Sequence, residues 1–310
     1  MTHLSAILAA LVPLFGLILL GAMLARARFP GEDFWPGLER FIYFVLFPAL
    51  LIEGLATAQL DPGRIAPVLA AVLATLVIGS ALVFLLKPLI PLNGPAFSSL
   101  YQGGIRFNTY LGIAVVIAVF GDEAMAVTAL TIALMIPLIN VFCVLVLSRY
   151  AEAQSSWRLL GRSLAQNPLI LGCVIGLLLN TSGIGLHDWL ASGLETAGSA
   201  AVPLGLISVG AGLKLGRWQS EAAPILAGSL IKLIILPVIA WWIAGVMALG
   251  TLETQVLVVF AALPTATSAY ILARQMGGDH ALIARMLTIQ TAAAAISLPL
   301  VLALLTSQLG

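Results

Sequence analysis

Ten stretches of about 20 mostly apolar residues follow one another along the chain with almost nothing between them. They fall at about 4–25, 36–57, 65–86, 95–120 and 122–148, and then at about 167–185, 189–213, 219–247, 251–276 and 280–307. A helix of about 20 apolar residues crosses the hydrocarbon core of a bilayer. The links are turn-like: Arg28-Phe29-Pro30-Gly31, Asp61-Pro62-Gly63, Pro91-Leu92-Asn93-Gly94-Pro95 and Gly277-Gly278-Asp279. No extramembrane domain fits in them. Of the 310 residues, 61% are hydrophobic and 9% charged, against about 45–50% apolar and about 25% charged in a soluble domain. A water-soluble fold cannot hide that much apolar surface, so the chain reads as an all-α integral membrane protein.

The first run, Leu4 to Ala25, has no positive charge before it and ends in Arg26 and Arg28. It is longer than the apolar region of a signal peptide and reads as the first span. Short loops on the cytoplasmic side of a membrane collect Lys and Arg. One side of the expected topology holds Arg26, Arg28, Arg40, Lys87, Arg149, Arg158, Arg162, Lys214, Arg217 and Arg274, and the other holds only Arg64. The chain is therefore expected in the cell inner (plasma) membrane with both termini outside, which is periplasmic in a Gram-negative cell.

The two halves match locally. Ala66-Pro67-Val68-Leu69-Ala70 lines up with Ala223-Pro224-Ile225-Leu226-Ala227 at a shift of 157, which also places Gly121-Asp122 on Gly278-Asp279 and Leu130-Thr131-Ile132 on Leu287-Thr288-Ile289. A shift of 155 places Pro13-Leu14 on Pro168-Leu169 and Pro48 on Pro203. Nearly one shift over a whole half points to an internal repeat. The expected organisation is a first five-helix repeat over 1–148, a short cytoplasmic linker over 149–166, and a second repeat over 167–310. Five spans is an odd number, so the second repeat enters the membrane inverted. Ten transmembrane helices in two inverted five-helix repeats is a plan of secondary transporters, whose site lies at the midplane on discontinuous helices.

Spans 4 and 9 are the interrupted pair. Span 4 reads Gln102-Gly103-Gly104-Ile105-Arg106-Phe107-Asn108-Thr109-Tyr110-Leu111-Gly112, and span 9 reads Ala261-Ala262-Leu263-Pro264-Thr265-Ala266-Thr267-Ser268-Ala269-Tyr270. The glycine pair is expected to loosen one helix, and Pro264 removes a backbone donor from the other. Asn108, Thr109, Thr265, Thr267 and Ser268 are residue types that cap a new helix start. Two half-helices beginning in mid-membrane would turn their positive ends toward an anion. A charged group there costs at least about 2.5–3.5 kcal/mol, so Arg106 needs a cavity or a partner. It either grips the anionic group of a substrate bidentately or bonds carbonyls at the break as a structural residue. Lys232 is the second deep cation, open to pairing with a carboxylate, holding the place of a metal ion, or carrying a proton. Glu53 and Glu195, near the outer ends of spans 2 and 7, are candidate proton carriers or interface carboxylates. Arg274 and Arg285 are expected to snorkel or pair with Asp279, and Asn140 and Gln290 to bond between helices. Gly172 with Gly176, and Gly212 with Gly216, have the spacing of close helix packing.

Other classes lack their residues. Net charge is +1, which gives no case for nucleic acid. Cys143 and Cys173 lie inside apolar runs and His3, His187 and His280 are scattered, so neither a disulfide nor a metal site is expected. There is no HExxH and no GxxxxGK[ST] loop, which argues against a membrane enzyme and against ATP-driven transport.

The residues quoted for span 9, continued by Ala273-Arg274-Gln275-Met276-Gly277-Gly278-Asp279, resemble the auxin efflux carrier family in its bacterial permease branch. So do Arg106 to Gly112, Ser208-Val209-Gly210-Ala211-Gly212-Leu213 and Ile231-Lys232-Leu233-Ile234-Ile235-Leu236-Pro237. The resemblance runs over essentially the whole chain. It implies a fold similar to bile acid–sodium symporters, with spans 1, 2, 6 and 7 as scaffold, spans 3–5 and 8–10 as a moving transport domain, and broken spans 4 and 9 crossing. It implies a homodimer, an elevator-like motion, and an organic anion such as malate or malonate as substrate. Substrate contacts then fall on Arg106, Asn108, Thr109, Pro264, Thr265, Thr267 and Ser268. No cofactor is expected, and the coupling ion, sodium or proton, stays open. The alternative is a sodium-coupled organic-solute or bile-acid-type symporter of the same fold. The long central loop of plant members is absent here, and no proline follows Asn108-Thr109.

Overall fold

The computed structural model describes residues 3–31, 33–58, 62–151, 161, 165–213 and 221–309. Among them every regular element is helical. Four of the basic loop residues, Arg158, Arg162, Lys214 and Arg217, lie outside the described residues, as do Asp61, Gly216 and most of the expected linker.

The chain runs α1 (His3–Arg26), α2 (Phe34–Phe41), a π turn (Ile42–Leu46), α3 (Phe47–Ala56), α4 (Pro62–Leu86), α5 (Gly94–Ile105), α6 (Thr109–Phe120) and α7 (Met125–Tyr150). It continues with α8 (Pro168–Ser182), α9 (Asp188–Ser199), α10 (Ala201–Ala211), α11 (Ala222–Leu230), a second π turn (Ile231–Ile235), α12 (Leu236–Val246), α13 (Thr251–Ala262), α14 (Thr267–Met276) and α15 (His280–Leu309). Each π turn ends just before a proline, Pro48 or Pro237. A proline ring clashes with the carbonyl four residues earlier, and the wider turn relieves that clash without breaking the helix.

Among the described residues seven helical segments are long and apolar enough to cross a membrane, and the bent pair α13–α14 makes an eighth. Two stretches expected to span fall short. Across Phe34–Ala56 the helix carries Glu39 and Arg40 in its first turns. Helix α8 has 15 residues, about 22 Å of helix against a core of about 30 Å. Large apolar side chains point outward, among them Val12, Leu19, Leu178 and Leu304, as they would toward lipid. The chain is a multi-span membrane protein.

Two helix pairs pack with their backbones in contact. Helix α1 crosses α10 backbone to backbone: a Cβ on Gly21 would stand 1.9 Å from the Ile207 carbonyl oxygen, and one on Gly210 1.8 Å from that of Ile18. Helix α8 lies against α3 in the same way, with Gly172 on Pro48 and Gly176 on Ile52. Asn180 Nδ2 closes that pair by donating to the carbonyls of Leu55, Ala56 and Ala58. The segment Gly94–Phe120, by contrast, is interior, with 78% of its apolar window buried.

The ends of the molecule differ in charge. At one end Gly94 abuts Tyr150, Asp279 N–H donates to the Pro95 carbonyl, and Lys87 Nζ lies 4.1 Å over the Tyr150 ring. Arg26, Arg28, Arg40, Arg149 and Arg274 belong to this basic end by the register of their helices. The other end holds the Arg64–Glu253 ion pair and Glu53 near Glu195 and Asp122.

Candidate functional site: two helix interruptions and a cavity

Helix α5 stops at Ile105, and Arg106 turns into extended backbone with φ −71° and ψ 155°. Asn108 then starts α6, its Oδ1 accepting from Leu111 N–H at 3.1 Å. This is an N-cap in the usual sense, satisfying a helix donor left free at the break. The glycine pair was expected to be the weak point, but both glycines sit inside α5 and serve packing. A Cβ on Gly103 would reach the Met286 side chain at 2.3 Å, and one on Gly104 the Val83 side chain at 2.8 Å.

Helix α13 stops at Ala262. Leu263 is extended at φ −69° and ψ 147°, as a residue before proline prefers. Helix α14 restarts at Thr267 with its axis bent by 54°. The capping expected of Thr265, Thr267 and Ser268 does not occur: the N-cap position falls on Ala266, and no side chain caps α14. Thr265 is instead wholly buried and turned inward. Its N–H donates to Gln290 Oε1 at 2.9 Å, and Gln290 Nε2 donates to the Gly103 carbonyl at 2.9 Å. One amide on α15 thus ties both interruptions together. They also touch directly, since Asn108 N–H donates to the Pro264 carbonyl at 2.8 Å.

From the basic end, α5 runs inward for 12 residues and α6 runs on for 12. Each half is about 18 Å long, so the breaks lie near mid-thickness. The starts of α6 and α14 face this point and carry partial positive charge.

A cavity of about 630 Å³ extends from the breaks toward the basic end. Arg106, Asn108, Thr109, Thr267 and Ser268 line it, whereas Pro264 and Thr265 stand behind the wall. Arg106 is 8% exposed. Its Nη2 donates to Asn140 Oδ1 at 3.1 Å and to Ser268 Oγ at 3.2 Å. Its Nη1 and the Nδ2 of Asn108 are buried without a hydrogen-bond partner among the described groups, and the Cys143 thiol lies against the guanidinium. Two idle donors therefore stand beside two helix starts. Phe107, Ile136, Ile139 and Leu169 supply an apolar wall. Sequence reasoning missed Glu39, Arg40, Tyr43 and Gln275, which also line the cavity. Glu39 and Arg40 come at the start of an apolar run, where charge reads as an interface.

The other predicted residues lie elsewhere. Lys232 is wholly buried, and its Nζ donates to the carbonyls of Phe260 at 3.2 Å and Ala261 at 2.8 Å, the last turn of α13. Glu53 and Glu195 are near each other at the far end and do not line the cavity. Arg285 pairs with Glu221 and not with Asp279, which caps α15 by accepting from Ala281 and Leu282 N–H. Asn140 and Gln290 do bond between helices. Among the described residues no group of three or more His, Cys, Asp or Glu side chains could hold a metal ion.

Apolar helices interrupted in the membrane interior, beside a cavity on which a few polar side chains converge, are the equipment of a membrane transporter. The chain belongs to the membrane transport protein family, the grouping of the auxin efflux carriers, whose profile matches residues 6–302. It is also 27% identical over 290 residues to an uncharacterized transporter from Methanothermobacter thermautotrophicus (strain Delta H), covering 92% of this chain and 93% of the relative.

Proposed function

We propose that this protein is a secondary carrier for a small organic anion, held by its carboxylate where α5–α6 and α13–α14 meet. The observation that carries this reading is the idle Nη1 of Arg106, buried beside the starts of α6 and α14 and next to the idle Asn108 Nδ2. Of the residues that line the cavity, the two with an unpaired buried group, Arg106 and Asn108, both leave a donor unpaired, so the complement is an acceptor with negative charge. The apolar wall suits a short carbon body. A metal ion is disfavoured at the end of α13, because the Lys232 ammonium already uses the carbonyls of Phe260 and Ala261. That weighs against the sodium-coupled alternative.

On this reading the ten helical stretches are ten spans in two inverted repeats, with the basic end cytoplasmic and both termini outside. The group containing α1, α3, α8, α9 and α10 is the scaffold, embedded in lipid as a homodimer. The group containing both interruptions carries the anion in an elevator-like motion. The inversion is supported by the 157-residue shift, which relates Arg106 to Leu263 and Asn108 to Thr265, residues at the two breaks.

The test is a thermal-shift screen of the purified protein against organic anions, malate and malonate first, with and without sodium. Carboxylates should stabilise the wild type. Arg106→Ala should fold but bind at least about 30-fold more weakly, the cost of about 2–5 kcal/mol for losing one side of a buried charge pair. Full affinity in Arg106→Ala would remove the arginine from the site.

A further inference from the structure

The cavity proposed to receive an anion already contains a carboxylate. Glu39, on α2, reaches across it, and its Oε1 accepts from Thr267 Oγ at 2.9 Å over a sequence separation of 228 residues. Thr267 is the first residue of α14, the half-helix whose start no side chain caps. The next residue, Ser268, is the one that Arg106 holds. Glu39 therefore stands at the positive end of α14, within the same cavity as the guanidinium.

The charged and titratable surroundings of Glu39 are few. Arg40 follows it on α2, Tyr43 comes from the π turn, Tyr110 on α6 lies within its field, and Arg106 lines the same cavity from the first break, where it bonds Asn140 and Ser268. Helix α14 presents Thr267, Ser268 and Gln275. Helix α10, which packs on α2, has no titratable side chain in Ala201–Ala211. A substrate carboxylate at the start of α14 would stand beside the Glu39 carboxylate already bonded to Thr267, and like charges that close raise each other's affinity for a proton.

We propose that Glu39 is the resident occupant of the anion site, holding the start of α14 in the empty carrier and yielding it to the substrate's carboxylate by taking up one proton. This rests on the carboxylate-carrier reading above. The step is a simple protonation: the Glu39 carboxylate gains one proton from solvent, its charge disappears, and the incoming carboxylate supplies the negative charge in its place. Anion binding and proton binding are then linked, and by reciprocity each strengthens the other. The same contact bridges α2, which runs on through the π turn into α3 of the scaffold group, and α14 of the other group, so substrate entry also frees one group from the other.

The experiment measures malonate binding to purified wild type, Glu39→Gln and Arg106→Ala by calorimetry, at mildly acidic and mildly alkaline pH and in buffers of different ionisation heat. Glutamine keeps an acceptor for Thr267 but carries no charge. Wild type should bind at least about tenfold more tightly at the acidic pH and take up about one proton per malonate at the alkaline pH. Glu39→Gln should match wild type at the acidic pH and lose none of that affinity at the alkaline pH through the protein, with no protein-borne proton uptake. Its residual pH dependence is that of malonate itself, which makes the variant the control for ligand titration. Equal affinity and equal proton uptake in wild type and Glu39→Gln would overturn the proposal. If Arg106→Ala still loses binding in that case, the anion site stands and only the role of Glu39 falls. Absence of malonate binding in every form, or binding indifferent to Arg106→Ala, would overturn both.

Discussion

Two buried cations with opposite situations define the chemistry at the scale of single residues. Arg106 borders the cavity and keeps one buried nitrogen unbonded, whereas Lys232 is sealed from solvent and spends its donors on the Phe260 and Ala261 carbonyls. Those carbonyls lack helical partners because α13 ends there, and Pro264 has no N–H to offer. Lys232 therefore acts as a C-terminal cap delivered from another helix. Lys232→Met should leave both carbonyls unsatisfied and lower stability by about 1–3 kcal/mol, read as a drop in the thermal midpoint in detergent, with Lys232→Gln recovering part of it. A Lys232→Met protein as stable as wild type would refute the capping role. Both cations were legible in the sequence, since charge inside an apolar run is costly enough to demand an explanation. Which of them borders a cavity was not legible, because that depends on how α7 and α14 pack around Arg106. Glu39 escaped for the complementary reason: a carboxylate in the first turns of a span looks like interface, and only the fold brings Thr267 to it.

At the scale of elements, the same interruption is built in two ways. Span 9 uses a proline, which forces Leu263 into extended backbone and denies α13 its last donor. Span 4 has no proline and depends on the Asn108 cap and on the Asn108 to Pro264 backbone bond. The second break was readable from Pro264 alone. The first was only approximately readable, because Gly103 and Gly104 suggested a flexible point where the structure has a tight helix contact with Met286 and Val83. The short polar residues after Pro264 likewise suggested caps, but Thr265 bonds Gln290 across the bundle, a partner 25 residues away. Substitution at Asn108 separates structure from binding. Asn108→Ala should cost about 0.5–2 kcal/mol of stability through the lost cap. Asn108→Asp keeps an acceptor for Leu111 N–H and suits the positive helix end, so it should retain stability while repelling malonate. An aspartate variant that binds malonate as wild type does would show that the start of α6 does not contact the anion.

For the whole molecule, the described lining of the cavity is one-sided. It comes from α2, α7 and α14 between the breaks and the basic end, and aromatic packing fills the other side of the interruption. There Phe107 stands edge-on to Phe260 with ring centroids 5.1 Å apart, and Gly112 packs against Leu263 and Phe260. On the carrier reading proposed above, the same site must be exposed to both faces in turn, with the proposed scaffold and transport groups shifting past each other. The glycine crossings make α1–α10 and α3–α8 poor places for such a shift, since backbones already touch at Gly21, Gly210 and Gly176. The slip plane is better sought where α2 meets α14, across the Glu39–Thr267 bond. Ala266 lines the cavity and offers no side-chain bond, so Ala266→Cys is a benign reporter, and the native Cys143 and Cys173 are buried. In membrane vesicles of defined orientation, an impermeant maleimide should reach Ala266→Cys from the basic-loop face without substrate. Malonate should bring out labelling from the opposite face and slow it at the first. Labelling that stays on one face while malonate is being transported would rule out alternating exposure of this site and require a path that bypasses it.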